Sequence, residues 1–362
     1  MKLIRAFSAI AAALLSACAP ATTVTPAPAP APAPVVQATI DPISESDVRR
    51  ILSALADDSM QGRRTGTRGA DAAARFIAAE MHAIGLEPAG DSGFFQTVPF
   101  ASAGITGQSE GLQLLDSIGA LKSLPAGTQR IGYNVIGIMR GSDPALRDQV
   151  VAFAAHYDHL GIGKPVNGDS IFNGADDDAS GVTTVLEVAR ALSKGTPPKR
   201  TILFMATTGE EQGILGSRWY VDHPVFPLSQ MVAEMEVEMA GRPDSLAGGP
   251  GKPWMTGYDR STMGSILKAA GIPIVADPYP QYRFFERSDN IIFARKGIPA
   301  HTLSSYNLHQ DYHAPSDEIS RIDFAHLTAF ARAAAGAARL LADGPAPQWN
   351  PGGKPEPASG SH

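Results

Sequence analysis

Apolar runs of strand length alternate with helical patterns over most of this sequence. That alternation predicts an α/β fold: a mixed central β-sheet with helices on both faces, stacked as a three-layer sandwich. Composition agrees. Hydrophobic residues make up 44% and charged residues 18% of the 362 residues, a globular balance that excludes a wholly disordered or fibrous chain. The third observation is where the polar residues fall. His and carboxylates follow the ends of the apolar runs, and ligands of open α/β sheets bind at the carboxyl ends of strands.

The elements follow in order. Helices are predicted at Ser44 to Ala56 and Thr67 to Gly85, with Ser44 or Ser46 as N-cap and Gly85 as C-terminal stop. Arg63-Arg64-Thr65-Gly66 reads as the turn between them. A small β-rich stretch covers about residues 94–131, including a strand at Phe95 to Phe100. Apolar strands are then expected at Tyr133 to Met139, Val150 to His156, Thr201 to Ala206, Met231 to Val237 and Ala300 to Leu303. Helical patterns separate them at Ser180 to Ser193, Leu215 to Asp222, Ser261 to Ala270 and Ser288 to Lys296. A closing helix runs from Ile322 to Leu341.

The two ends read differently from the body. Lys2 and Arg5 precede about ten largely apolar residues, the pattern of a secretory signal over 1–17 and too short to span a bilayer. Leu15-Ser16-Ala17-Cys18 resembles the lipobox of bacterial lipoproteins, which implies lipidation of Cys18, a membrane anchor and a periplasmic or extracellular location. Residues 18–41 carry a Pro/Ala run that favours extended polyproline II, a semi-rigid tether. The Pro/Gly-rich segment 344–362 is expected to be disordered. The folded body is therefore 42–343. Cys18 is the single cysteine, so no disulfide framework or thiolate zinc site is available. The net charge of −6 gives no basic surface for nucleic acid.

The strand ends carry the chemistry. Val150 to Ala155 leads into His156-Tyr157-Asp158-His159. A loop then reaches Gly174-Ala-Asp176-Asp177-Asp178-Ala-Ser-Gly181 before a helix. Thr201 to Ala206 leads into Thr207-Thr-Gly-Glu210-Glu211, Met231 to Val237 into Glu238, and Ala300 to Leu303 towards Asp311-Tyr312-His313. Each alone has an ordinary reading. A His can be a hydrogen-bonded surface residue, the Asp triple a helix start, and Glu210-Glu211 a solvated loop. Together they offer an oxygen- and nitrogen-rich site suited to zinc.

Here the sequence resembles a known family. His156-Tyr-Asp158, Gly174 to Gly181, Gly209-Glu-Glu211, Glu238-Met-Ala-Gly-Arg242 and Asp311-Tyr-His313 look like the co-catalytic di-zinc aminopeptidases of peptidase clan MH, which also holds glutamate carboxypeptidase and glutaminyl cyclase. The resemblance covers about residues 61–341. It implies two zinc ions per chain, one held by His156, Asp177 and Glu238 and the other by Asp177, Glu211 and His313. It implies a water shared between them, Glu210 as general base, and Asp158 as acceptor of the second N–H of His156. Ser288 would support His313, His159, Tyr312 and Asp317 would line or brace the site, and the Asp177–Asp178 peptide would be cis. Two positions depart from many relatives: Glu238, where Asp is common, and Asn290, where His is common.

The implied function is removal of N-terminal residues from peptides with a free amine. Two alternatives share the scaffold: a glutaminyl cyclase-type transferase and a non-enzymatic binding protein. A third, a serine hydrolase, rests on Gly107-Gln-Ser109-Glu-Gly111, which lacks the buried strand that such a motif needs in front of it. Trp254, Tyr279, Tyr282, Phe284 and Phe285 are candidates for an apolar pocket or for ordinary packing.

Overall fold

The computed structural model describes residues 43–103 and 111–357. The signal, Cys18, the tether and Ser109 lie outside the described residues.

Helix α1 (Glu45–Leu55) is capped by Ser44, whose hydroxyl accepts the Asp47 N–H. Helix α2 (Arg68–Ile84) stops at Gly85, which takes a left-handed φ of 90°. There follow β1 (Glu87–Pro88), β2 (Phe95–Ala103), β3 (Gly111–Leu114), α3 (Ile118–Leu121) and β4 (Gln129–Met139). The centre of the chain supplies β5 (Val150–His156), the hairpin β6 (Gly161–Val166) and β7 (Asp169–Phe172), α4 (Gly181–Ser193), β8 (Thr201–Thr207), α5 (Leu215–Asp222) and β9 (Met231–Val237). The last part adds β10 (Trp254–Met255), α6 (Met263–Ala269), β11 (Val275–Ala276), α7 (Asn290–Arg295), β12 (Ala300–Ser304) and α8 (Phe324–Asp343).

All but the β6–β7 hairpin join one ten-stranded sheet in the order β11-β10-β12-β9-β5-β8-β4-β2-β3, with β1 beside β4. Its centre, β12-β9-β5-β8, is parallel, and β4, β2 and β3 extend it antiparallel. The sheet is mixed, as expected. The β-rich stretch before Tyr133 widens this sheet.

Period-two alternation explains the layers. Val151, Phe153 and Ala155 of β5 pack with α1, α2, α4 and α8 on one face. Val150, Ala152 and Ala154 pack with α5 and α7 on the other. A strand buried on both faces has no solvent side, which is why β5 and β8 read as near-continuous apolar runs. Their carboxyl ends then open on one edge.

One expectation is corrected, and one element is new. The segment after Gly344 is ordered over its described part. Trp349 donates its indole N–H to the Gly297 carbonyl at 2.9 Å, and Ser261 and Trp349 form an isolated bridge. One aromatic anchor outweighs the polar composition that predicted disorder. The β6–β7 hairpin was not expected at all. Among the described residues, no helix is long and apolar enough to cross a membrane.

Candidate metal centre

The end of β5 and four following loops or turns bring the expected ligands to one place. His156 is the last residue of β5. Asp177 lies in the irregular helical turn 175–180 before α4, Glu211 in the loop after β8, Glu238 directly after β9, and His313 in the loop after β12. His156 Nε2 lies 3.3 Å from one oxygen of Asp177. His313 Nε2 lies 3.2 Å from the other, and 3.1 Å from Glu211 Oε2. The two oxygens of Asp177 therefore face different imidazoles.

The ligand atoms of His156, Asp177 and Glu238 all lie within 4.8 Å of one another, as do those of His159, Asp177 and Glu211. The donor set suits a divalent ion: buried carboxylates and imidazoles, with His156 Nε2 lacking a hydrogen-bond partner among the described residues. The electrostatics agree. Burial alone would push Asp177 up, but His159, His156 and His313 outweigh it and hold the carboxyl well below its ordinary range. Burial opposes a charged His156, yet the surrounding carboxylates raise it well above the usual imidazole value.

Glu210 lies outside both clusters and faces the adjoining pocket. Burial pushes its carboxyl well up; His156 opposes this and Glu238 adds to it. Its backbone N–H donates to Asp158 Oδ1 at 3.1 Å. This changes the role expected of Asp158. His156 Nδ1 lies 3.1 Å from the Asp158 backbone carbonyl and 3.9 Å from the carboxylate. The main chain takes the imidazole proton because residue 158 leaves the strand directly after β5. The carboxylate, raised by burial to about 6, instead braces the Glu210 loop.

The flanking aspartates divide the labour. Asp178 accepts the N–H groups of Gly181 and Met239, tying the start of α4 to the Glu238 loop. Asp176 accepts the Gly241 N–H at 2.7 Å and meets His309 at 3.0 Å. The helix-start reading therefore describes Asp178, while Asp177 faces the centre. The Asp177–Asp178 peptide is cis, as expected.

Two arginines were underread. Arg242 donates to Asp311 at 2.7 Å and to Asp317 at 3.1 Å. Asp317 in turn accepts the N–H groups of Asp176 and Asp177. One guanidinium thus joins the Glu238, Asp177 and His313 loops. Arg63, expected in a simple turn, is fully buried and donates to the carbonyls of Leu55, Tyr157, Asn173 and Gly174. Short-range patterns carry no signal for such long-range carbonyl contacts.

Ser288 lies against Glu238 rather than His313, and its hydroxyl favours that carboxylate's charged form. Asn290, at the departure from His, accepts from Thr302 at 3.0 Å and donates to the Phe285 carbonyl, a packing role.

A pocket opens beside Asp177, Glu210, Glu238 and His313. Its walls include Trp254, Tyr282, Phe284, Tyr306 and Tyr312. Of the expected aromatic group, Tyr279 packs behind Trp254 and Phe284, and Phe285 joins the core on the α5–α7 side. Tyr306 was missed. Tyr312 stacks on His313 with ring centres 3.8 Å apart.

Comparison with known proteins adds to this geometry. The chain is 31% identical over 186 residues to a probable zinc metalloprotease of Leptosphaeria maculans, covering 50% of this chain and 38% of the relative. It is 35% identical over 116 residues to the aminopeptidase YwaD of Bacillus subtilis, covering 32% of this chain and 23% of the relative. These matches span well under half the length of the curated relatives. Among solved structures, a zinc aminopeptidase from Bacillus subtilis superposes with a TM-score of 0.62 at 16% identity, over 83% of this chain and 96% of that one. Glutaminyl cyclase from Porphyromonas gingivalis gives 0.57 at 16% identity, over 82% and 98%. The fold is that of these proteins. The family model for peptidase family M28 matches residues 134–338, more than half of the sequence and the part that carries every ligand loop. This chain belongs to peptidase family M28.

Proposed function

We propose that this protein is a zinc-dependent aminopeptidase that removes N-terminal residues from peptides. The observation that carries this reading is Asp177, whose two oxygens face His156 on one side and His313 on the other, with Glu210 left over beside an aromatic pocket. His156, Asp177 and Glu238 would hold one zinc ion; Asp177, Glu211 and His313 would hold the second. A zinc pair supplies Lewis-acid polarisation of the scissile carbonyl and lowers the pKa of water.

The protein's own groups do the rest. Glu210 takes the proton from the attacking water and passes it to the departing amine, so the peptide C–N bond breaks as the new C–O bond forms. The carboxylates of Glu210 and Glu238 at the pocket attract the free ammonium of the substrate. The aromatic walls exclude water and accept an apolar first side chain.

The test is a panel of aminoacyl and N-blocked peptides, read beside zinc content and Glu210→Ala. The expected result is cleavage of free-amine substrates only, with a loss of about a hundredfold or more in the variant and zinc retained. A Gln-initiated peptide turned into pyroglutamyl product would move the function to the cyclase. Unchanged activity in Glu210→Ala would remove the assigned base. We also propose export and anchoring through lipidated Cys18, on the strength of the lipobox alone. Palmitate labelling that persists in Cys18→Ser would contradict it.

A further inference from the structure

We propose that His159 is a fourth protein ligand of the second metal, which makes the two metal positions unequal. The inference rests on the two-metal reading above.

His159 is fully buried at the start of the loop after β5. Its Nδ1 lies 2.8 Å from Glu211 Oε1 and 3.8 Å from Asp177 Oδ2. Nδ1 and Oε1 approach closely but outside regular hydrogen-bond geometry, and His159 Nε2 has no hydrogen-bond partner among the described residues. An imidazole nitrogen and a carboxylate oxygen that meet at 2.8 Å in this geometry are placed as co-ligands of one ion would be. Donors each about 2.0–2.2 Å from one zinc ion lie about 3 Å or somewhat more apart at right to tetrahedral angles. The same spacing recurs on the other side, where His313 Nε2 lies 3.1 Å from Glu211 Oε2 and 3.2 Å from Asp177 Oδ2. Glu211 thus turns one oxygen to each imidazole, and His159 and His313 flank it with ring centres 5.7 Å apart.

The backbone is built around this ring. Gly174 takes φ 55°, and a Cβ there would lie 2.1 Å from the Asp177 carbonyl oxygen and 2.6 Å from the His159 imidazole. A side chain at this position would clash with both. The first position has one imidazole, His156. The second has two: buried His159, and His313 with a side chain 35% exposed. His159 makes the second position the tighter one and keeps zinc there when the more exposed His313 is lost.

The experiment is stepwise zinc competition against a chromophoric chelator, using the full-length protein. In the wild type, two equivalents are expected. In His159→Ala the second-position affinity falls by about tenfold or more, in line with metal-site losses, while the first is unchanged and certifies the fold. His313→Ala retains measurable zinc at the second position, and the double variant does not. His159→Asn, which keeps an N–H near the place of Nδ1, fails to restore the affinity. An unchanged second position in His159→Ala, an equal loss at both positions, or rescue by Asn would overturn the ligand assignment. A wild type that binds no zinc would instead overturn the two-metal reading itself.

Discussion

Two groups of buried carboxylates behave in opposite ways. Asp177 and Glu211 meet imidazoles, and those imidazoles overcome burial and hold both carboxyls down. Glu234 and Glu236 lie on β9, on the same side of the strand as Glu238 by period-two alternation. Both are fully buried, and neither forms an ion pair among the described residues. Burial pushes both well up, with Asp289 adding to it. The lesson is that burial alone does not make an acidic site. A carboxylate in the interior stays charged only where cationic or metal partners receive it, and otherwise keeps its proton.

The largest effect should come from Asp177→Asn. It removes the one carboxylate shared by both clusters, so zinc content measured by atomic emission should fall from two equivalents to at most one, and peptide cleavage should vanish. Two retained equivalents would show that Asp177 does not bridge.

The smallest effect should come from Glu234→Gln, the same change on the other side of the comparison. The sign follows from linkage. The folded state keeps the Glu234 proton to higher pH than the unfolded chain does. The stability this brings is present below the unfolded value, about 4.3, and is lost as pH rises through the raised folded pKa. Replacing the carboxyl by a neutral amide removes that loss. Urea unfolding should show the variant close to wild type at pH 4 and increasingly more stable than wild type above it, by up to about 1.4 kcal/mol per pH unit. A difference that stays constant with pH would mean that Glu234 is not held neutral, and would erase the contrast with Asp177.

Much of this was legible in the sequence, for a physical reason. Strands β5 and β9 and helix α5 run as expected from Val150 to His156, Met231 to Val237 and Leu215 to Asp222; burial on both faces leaves β5 an apolar run up to His156. His156 and Glu238 were legible at the ends of β5 and β9 and Glu211 shortly after β8, while Asp177 and His313 lie in longer loops and were legible only through their motifs. The β6–β7 hairpin was missed because residues 162–169 are exposed and lack alternation. Its turn, Asn167-Gly168, has positive φ at both residues and is a hairpin signal that could have been used. Arg63, Arg242 and the brace through Asp317 were out of reach, since most of their partners lie 69 to 141 positions away and depend on the finished fold. His159 stood next to a recognised motif but outside its pattern.

The most direct test of the account is anomalous diffraction at the zinc absorption edge from crystals of the zinc-loaded protein. Two peaks about 3.5–4 Å apart are predicted. One should lie against His156 and Glu238, the other against Glu211 and His313, with Asp177 between them. A single peak, or two peaks that do not share Asp177, would contradict it.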